Sequence, residues 1–533
     1  MTRSDWVWVG AAAAMFVLAA TWRLDLPGLQ YDESADAAPA VNFVTNNYKT
    51  EPMQINPSII HLFGRPLPVM VMTYMGPVKE LLYIPWFFTF GISVYTIRLL
   101  PVLAVVLCFP LTYRLATQLV SKRAAQITVA LMALDPAFVF YLTRDVGPAA
   151  LQVLFKLLAL VLLLEWWKRG QAWLFGLALL VLGLGISHKV DFLWVIGGIA
   201  GAGIVTLRSD IWKRLNRRTI IWGIAGACIG AAPVVAFNIA TGGLTFAPLF
   251  AKFLGDAPST GSTSFMENFG TRIIQTAQIL NGEHLSTLFT ERGLNLGVGA
   301  FIVPLFALVS LTMLVLFGKN QRPVYYKSLV GLGSFTVIVF LASCFSPGAL
   351  NGHHMLALYP GLHLAMSSTI VRASKLAGDR FHFEKVIVGV LVILNLVSVG
   401  RIYENLNATG GTRSWSDAIY SLNPYLQEKH ASLVAVDWGF TLNLLVLSHG
   451  TLEITRAYKE YWVHPVTART IAPYLNDHSV YLAHGKQFDI VPGATDAFVA
   501  AADSLGYVIR TDTSFFQHDG QEIYLLQRLE RRQ

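Results

Sequence analysis

Acids and bases recur at the ends of apolar runs along this chain, in types and spacings that could do chemistry. Asp32 and Glu33 stand together just past the first run, with Asp36 one helical turn on. Lys79-Glu80 end the stretch Tyr74-x-Gly-Pro-x-Lys79-Glu80, and Arg144-Asp145 follow Tyr141-Leu-Thr. His188-Lys189 join two runs through a very short turn, with Asp191 placed to pair with the lysine, and His353-His354 precede another run. A carboxylate held at that level can act as a general base toward an acceptor hydroxyl. Cations beside it can hold a phosphate and stabilise it as a leaving group. Each group also has a plainer reading: Asp32-Glu33 as a helix N-cap, Lys79 as a snorkelling interfacial lysine, Arg144-Asp145 as a local pair capping the next helix. Paired histidines beside carboxylates can ligate a metal. Adjacent residues rarely both face one ion, so a hydrogen bond to phosphate or sugar is the favoured reading for His353-His354.

The elements that position these groups are membrane helices. The chain has 533 residues, 54% of them hydrophobic and 14% charged, against roughly 25% charged in soluble domains. That composition specifies an integral membrane protein. The net charge of +8 sits in short loops between apolar runs, the pattern of cytoplasmic loops, and argues against nucleic acid as a partner. Cys108, Cys228 and Cys344 all lie within apolar runs, and form neither a disulfide framework nor a metal-spaced cluster. A bilayer core takes about 20 apolar residues per helix, which predicts spans near 5–21, 96–118, 124–142, 147–164, 171–187, 190–207, 219–238, 296–318, 328–345, 355–371 and 385–400, about eleven in all. The apolar stretch 81–90 is too short to span and reads as interfacial or re-entrant. The first run is read as an uncleaved helix in preference to a signal peptide.

Arg3, Lys122-Arg123, Lys168-Arg169 and the basic stretches 208–218, 319–327 and 372–385 fall on one face, which the positive-inside rule makes the cytoplasm. The acids, His188-Lys189 and His353-His354 then share the opposite face. Two loops on that face are long, 22–95 and 240–295, and loops of such length are usually functional or disordered. The second is expected to order when substrate binds. From residue 401 the apolar runs shorten to strand length and helical patterns intervene, so 401–533 reads as a small α/β domain. The N-terminus is expected on the cytoplasmic side of the cytoplasmic (inner) membrane and the C-terminal domain outside it.

The order and sidedness of these pieces resemble the GT-C superfamily of membrane glycosyltransferases, most closely the bacterial branch near the protein O-mannosyltransferases and the lipid A aminoarabinose transferases. The matching features are Asp32-Glu33 in the first outer loop, Tyr74-x-Gly-Pro-x-Lys79, Thr143-Arg144-Asp145 after the third span, and a basic segment leading into Tyr359-Pro360. The resemblance covers roughly residues 1–400. It departs at Lys79, followed here by Glu80-Leu81 where the aminoarabinose transferases have two prolines, and in lacking the β-trefoil insertion of the eukaryotic mannosyltransferases.

The resemblance implies a polytopic α-helical GT-C-like domain over 1–400 with the extracytoplasmic α/β domain behind it. It implies transfer of one sugar from a polyprenyl-phosphate donor to a lipid, glycan or protein acceptor at the outer face, with inversion. Asp32 would be the catalytic carboxylate, with Glu33 in support and Asp145 as second candidate. Lys79, Arg144, Lys189, His353 and His354 would approach the donor phosphate. Several members of the superfamily bind a divalent metal near the first-loop acid, and Asp32, Glu80, His353 and His354 are the candidates to hold one here. A transporter or flippase of lipid-linked saccharides is the alternative; against it, the polar residues gather at one face and no internal repeat is evident.

Overall fold

The structure, a computed structural model, describes residues 1–49, 59–247, 264–317, 323–346, 350–377, 382–429 and 432–532. In chain order the helices are α1 (Arg3–Thr21), α2 (Tyr31–Thr45), α3 (Val78–Phe90), α4 (Val94–Leu119), α5 (Lys122–Ala133), α6 (Ala150–Arg169), α7 (Ala172–His188), α8 (Phe192–Arg214), α9 (Arg217–Thr241), α10 (Phe265–Asn281), α11 (Glu283–Thr290), α12 (Gly299–Phe317), α13 (Pro323–Cys344), α14 (Gly361–Ala377), α15 (Phe383–Thr409), α16 (Ile419–Lys429), α17 (Thr441–Leu447) and, after a short turn of helix, α18 (Ala494–Ser504). Strands β1 (Ile59–Leu62) and β2 (Arg65–Pro68) form a hairpin in the first long loop. Strands β3 (Leu433–Ala435), β4 (Ile454–Arg456), β5 (Val480–His484), β6 (Tyr507–Phe516) and β7 (Glu522–Arg531) form one mixed sheet in the order β4-β3-β5-β7-β6.

This is a multi-pass membrane protein. Among the described residues, six helices are long and apolar enough to cross a bilayer: α1, α4, α6, α9, α15 and the Lys327–Cys344 part of α13. Shorter apolar segments lie in α7, α8 and α12. The two remaining expected spans are interrupted. Over 124–142, α5 stops at Ala133 and the chain resumes after Pro136 as a π-helical turn, Ala137–Tyr141. Over 355–371, a 3-10 turn, Gly352–Leu358, precedes Tyr359-Pro360 and α14. Proline explains both breaks, since it lacks an N–H to donate and its ring disfavours helix in the residue before it. The stretch 81–90 falls in α3, which ends at Gly91 before Ser93 caps α4 with a capping box.

The long loop 240–295 is not featureless. It contains α10, capped by Ser264 and Glu267, and α11, while 248–263 lie outside the described residues. The last apolar helix, α15, runs on to Thr409, past the boundary expected at residue 401.

The membrane helices share one apolar core, built around Phe16, Phe109, Tyr113, Phe138 and Phe140. The C-terminal sheet has its own, around Leu433, Tyr481, Phe498 and Tyr524. A third cluster joins the two: Leu442, Leu445 and Val446 of α17 pack on Ala35, Ala38 and Val41 of α2. Asn443 Nδ2 donates to Leu29 O at 2.7 Å, and Tyr31 packs at a tilt against Trp438 with centroids 4.2 Å apart. The C-terminal domain therefore braces the helix that carries Asp32.

Candidate active site

Three acids open the site on α2, at positions that share a helical face only in part. Glu33 is buried and receives two bonds of 2.7 Å from Arg98, at Nε and Nη2. Asp36, also buried, lies 3.0 Å from Lys79 Nζ. Asp32 is half-buried, and among the described residues its carboxylate has no side-chain hydrogen bond or ion pair. Burial raises its pKa to about 6; Lys189 pulls it down, while Asp36 and Glu33 push it up and the Gly147 N–H lowers it.

Lys79 is placed by the stretch before it. Val190 N donates to Tyr74 O at 3.0 Å and Gly76 N to His188 O at 3.1 Å. A Cβ on Gly76 would meet Ser187 O at 1.7 Å, so only glycine lets the two backbones pair this closely. Lys79 Nζ then bridges Asp36 and Asp145, at 3.0 and 2.5 Å. Burial works against its charge, but Asp145 and Asp36 overcome it and hold the ammonium charged. Asp145 Oδ1 also accepts from Ala150 N at 2.9 Å, capping α6.

Arg144 has a different task from the phosphate contact expected of it. Its guanidinium donates to the carbonyls of Ala20, Arg23 and Leu26 and to Thr143 Oγ1, at 2.9–3.0 Å. It pins the end of α1 and the approach to α2.

The second group lies on the other side of Gly147. Lys189 Nζ donates to Gly147 O at 2.8 Å and lies 3.4 Å from Asp191 Oδ2. Asp191 also receives Gln152 Nε2 and, at 2.7 Å, His354 Nδ1. Burial alone would raise this carboxyl; Lys189, His354 and Gln152 reverse that and hold it well below the usual range. His353 and His354 stack at 4.2 Å, and a Cβ on Gly147 would sit 2.2 Å from His353 Nε2. Burial lowers the pKa of both rings, and Lys189 adds to it. At neutral pH they offer hydrogen bonds, not charge.

Sequence reading named Asp191 only as a partner for Lys189 and missed Arg272 and His284. Arg272, on α10, is buried with no partner for Nε, and its charge bears on His354. His284, on α11, pairs with Tyr141 and packs on Gly352. Both belong to the loop 240–295, whose amphipathic helices were the available signal.

The metal candidates do not gather. His353 and His354 lie by Asp191, Asp32 by Gly147 and Lys189, and Glu80 by Asp36. Among the described residues no three His, Cys, Asp or Glu side chains converge as a metal site. Glu80 is buried with both oxygens unpartnered; burial, then Asp36, raise its pKa well above the usual range. These residues do not fit a bound divalent ion.

An apolar cavity of about 840 Å³ lies between α4, α6, α7, α8 and α13, within the roughly 300–1,000 Å³ range of ligand sites. Lys156, Tyr359 and Pro360 line it, as do Trp167, Lys168 and Lys327. A pocket of about 10 Å³ adjoins, sharing Lys156 and lined also by Gln152, Asp191 and Trp194.

Residues 81–237 match the family model for dolichyl-phosphate-mannose-protein mannosyltransferase. That stretch holds Arg98, Arg144, Asp145, Lys189 and Asp191. The whole chain superposes on ArnT from Cupriavidus metallidurans bound to undecaprenyl phosphate, with TM-score 0.61 and 11% identity over 98% of both chains. The chain has a GT-C fold. An oligosaccharyltransferase from Archaeoglobus fulgidus, tethered to an acceptor peptide, shares the fold at TM-score 0.54 and 14% identity, over 98% of this chain and 74% of that one. The same archaeal protein is known with zinc and sulfate, and with an inhibitory peptide and a dolichol-phosphate. No curated protein matches the sequence. The family-model match over residues 81–237, with the fold shared with these neighbours, indicates a glycosyltransferase.

Proposed function

We propose that this protein transfers a single sugar from a polyprenyl-phosphate donor to an acceptor at the outer face of the cytoplasmic membrane, with inversion and with Asp32 as general base. The acceptor is a lipid, a glycan or a protein. One observation carries the assignment of the base. Glu33 is spent on Arg98, Asp36 and Asp145 on Lys79, Asp191 on His354, and burial raises the pKa of Glu80 well above the usual range. Asp32 alone combines partial exposure with no side-chain partner among the described residues, and a pKa of about 6 leaves it ionised yet basic near neutrality.

Lys189, with His353 and His354 beside it, forms the group proposed to meet the donor phosphate. Lys79 and Arg144 are proposed as supports, the first orienting Asp36 and Asp145, the second tying α1 to the site. In an inverting displacement the base and the leaving group flank the anomeric carbon on opposite sides. Asp32 would take the acceptor proton while the phosphate departs toward Lys189 and the imidazoles, whose hydrogen bonds stabilise its charge. The apolar cavity gives the prenyl tail a place to lie within the bilayer. No step needs a metal ion.

ArnT binding undecaprenyl phosphate and the archaeal enzyme binding dolichol-phosphate support the donor class. Mass spectrometry of lipid copurified with the protein is the test. A prenyl-phosphate sugar is the expected species. Phospholipid alone, together with no transfer from any prenyl-phosphate sugar supplied, would contradict the reading.

A further inference from the structure

Lys156 lies within α6 and is 3% exposed. An ammonium has three N–H donors, and all three go to neutral acceptors: Ala357 O at 2.7 Å, Leu356 O at 3.4 Å and Tyr359 O. Among the described residues no carboxylate pairs with it. Lys79, equally buried, is held by two acids, whereas Lys156 is held by backbone carbonyls. An ionisable side chain kept within a membrane helix and held by backbone carbonyls is costly and marks a functional site.

Its position fits that role. Lys156 lines the large apolar cavity and also the small pocket that leads to Gln152, Asp191 and Trp194. It therefore stands at the neck between hydrocarbon-lined space and the cluster of Lys189, Asp191 and His354. The carbonyls it holds lie at the end of the 3-10 turn that carries His353 and His354, so the same ammonium caps that turn and fixes the imidazoles.

We propose that Lys156 is the positioning residue that seats the phosphate end of an isoprenoid phosphate at this neck, by fixing the His353-His354 turn. This rests on the donor class proposed above. The tail occupies the cavity, the phosphate meets the imidazoles carried by the turn, and the turn that the lysine holds discriminates an anionic lipid from a neutral one of the same chain.

The test is equilibrium binding of undecaprenyl phosphate and of undecaprenol to the purified full chain, with phosphatidylglycerol as competitor. The parent should prefer the phosphate by about tenfold or more. Lys156→Met should abolish that preference while still binding undecaprenol, and Lys156→Arg should restore most of it. If Lys156→Met does not accumulate, Lys156→Gln gives the same comparison. A merely structural lysine would lower binding of both lipids together, and that result overturns the proposal, as does phosphatidylglycerol competing as well as undecaprenyl phosphate. Failure of the parent to bind undecaprenyl phosphate removes the donor class and this proposal with it. A parent that binds it, with the preference intact in Lys156→Met, removes only the role of Lys156.

Discussion

Arg98 closes on Glu33 with two bonds of 2.7 Å, both side chains buried between α2 and α4. Of two adjacent acids, one is thereby committed to architecture and its neighbour Asp32 is left for chemistry. Arg98 also donates to Leu24 O at 2.7 Å, so the same guanidinium fixes the chain entering α2.

Glu33→Gln should therefore act on stability. Removing one partner of a buried charge pair costs about 3–5 kcal/mol, because the other charge is left uncompensated. The melting temperature in detergent should fall sharply, while the fraction that stays folded keeps its turnover. Loss of turnover at an unchanged melting temperature would assign Glu33 to catalysis instead.

Asp32 gives the reaction a pH dependence of known sign. Its carboxyl, raised to about 6 by burial, must be ionised to accept a proton. The ratio kcat/KM should fall as pH drops through about 6 and level off above it. Lys189 favours the ionised form, so Lys189→Met should move the midpoint upward. A flat profile between pH 5 and 8, or a downward move in that variant, would exclude Asp32 as the titrating base.

Lys79→Met leaves Asp36 and Asp145 buried without their cation. Loss of about 3–5 kcal/mol of stability is expected, and adding Asp36→Asn should recover part of it, since neighbours that share a partner are not additive. Thermal unfolding of the single and double variants measures this. Full additivity would show that Lys79 and Asp36 are not coupled.

Asp191→Asn frees His354 from the carboxylate that its Nδ1–H meets at 2.7 Å. The ring can then change tautomer, and donor KM should rise by about tenfold with a smaller change in kcat, the pattern of lost ground-state binding. An unchanged donor KM would remove His354 from the donor site.

Much of this fold was legible in the sequence because a bilayer imposes length and composition on each span. The basic loops gave an expectation that Asp32, Arg144 and His353 share one face, and the short apolar runs after residue 401 revealed the sheet domain. The breaks at Pro136 and Pro360 were not foreseen, since hydropathy averages across a proline that local geometry does not tolerate. Individual roles were harder. Nothing in the spacing shows that Arg144 points at carbonyls of α1, or that Lys79 lies between two acids from α2 and the turn before α6. Lys156 stands inside an otherwise apolar helical pattern and Arg272 inside an amphipathic one, and their function depends on which helices they face. Gly76 and Gly147 were readable only as turn residues until Ser187 and His353 were seen against them.

The most direct test of the account is sugar transfer by purified Asp32→Asn, assayed with a prenyl-phosphate sugar that the parent uses. Loss of a positioned general base typically costs about 10²–10⁴ in rate. A fall of that size in kcat, with melting temperature and donor binding unchanged, is the result expected. Transfer at the parent rate by the folded variant would contradict it.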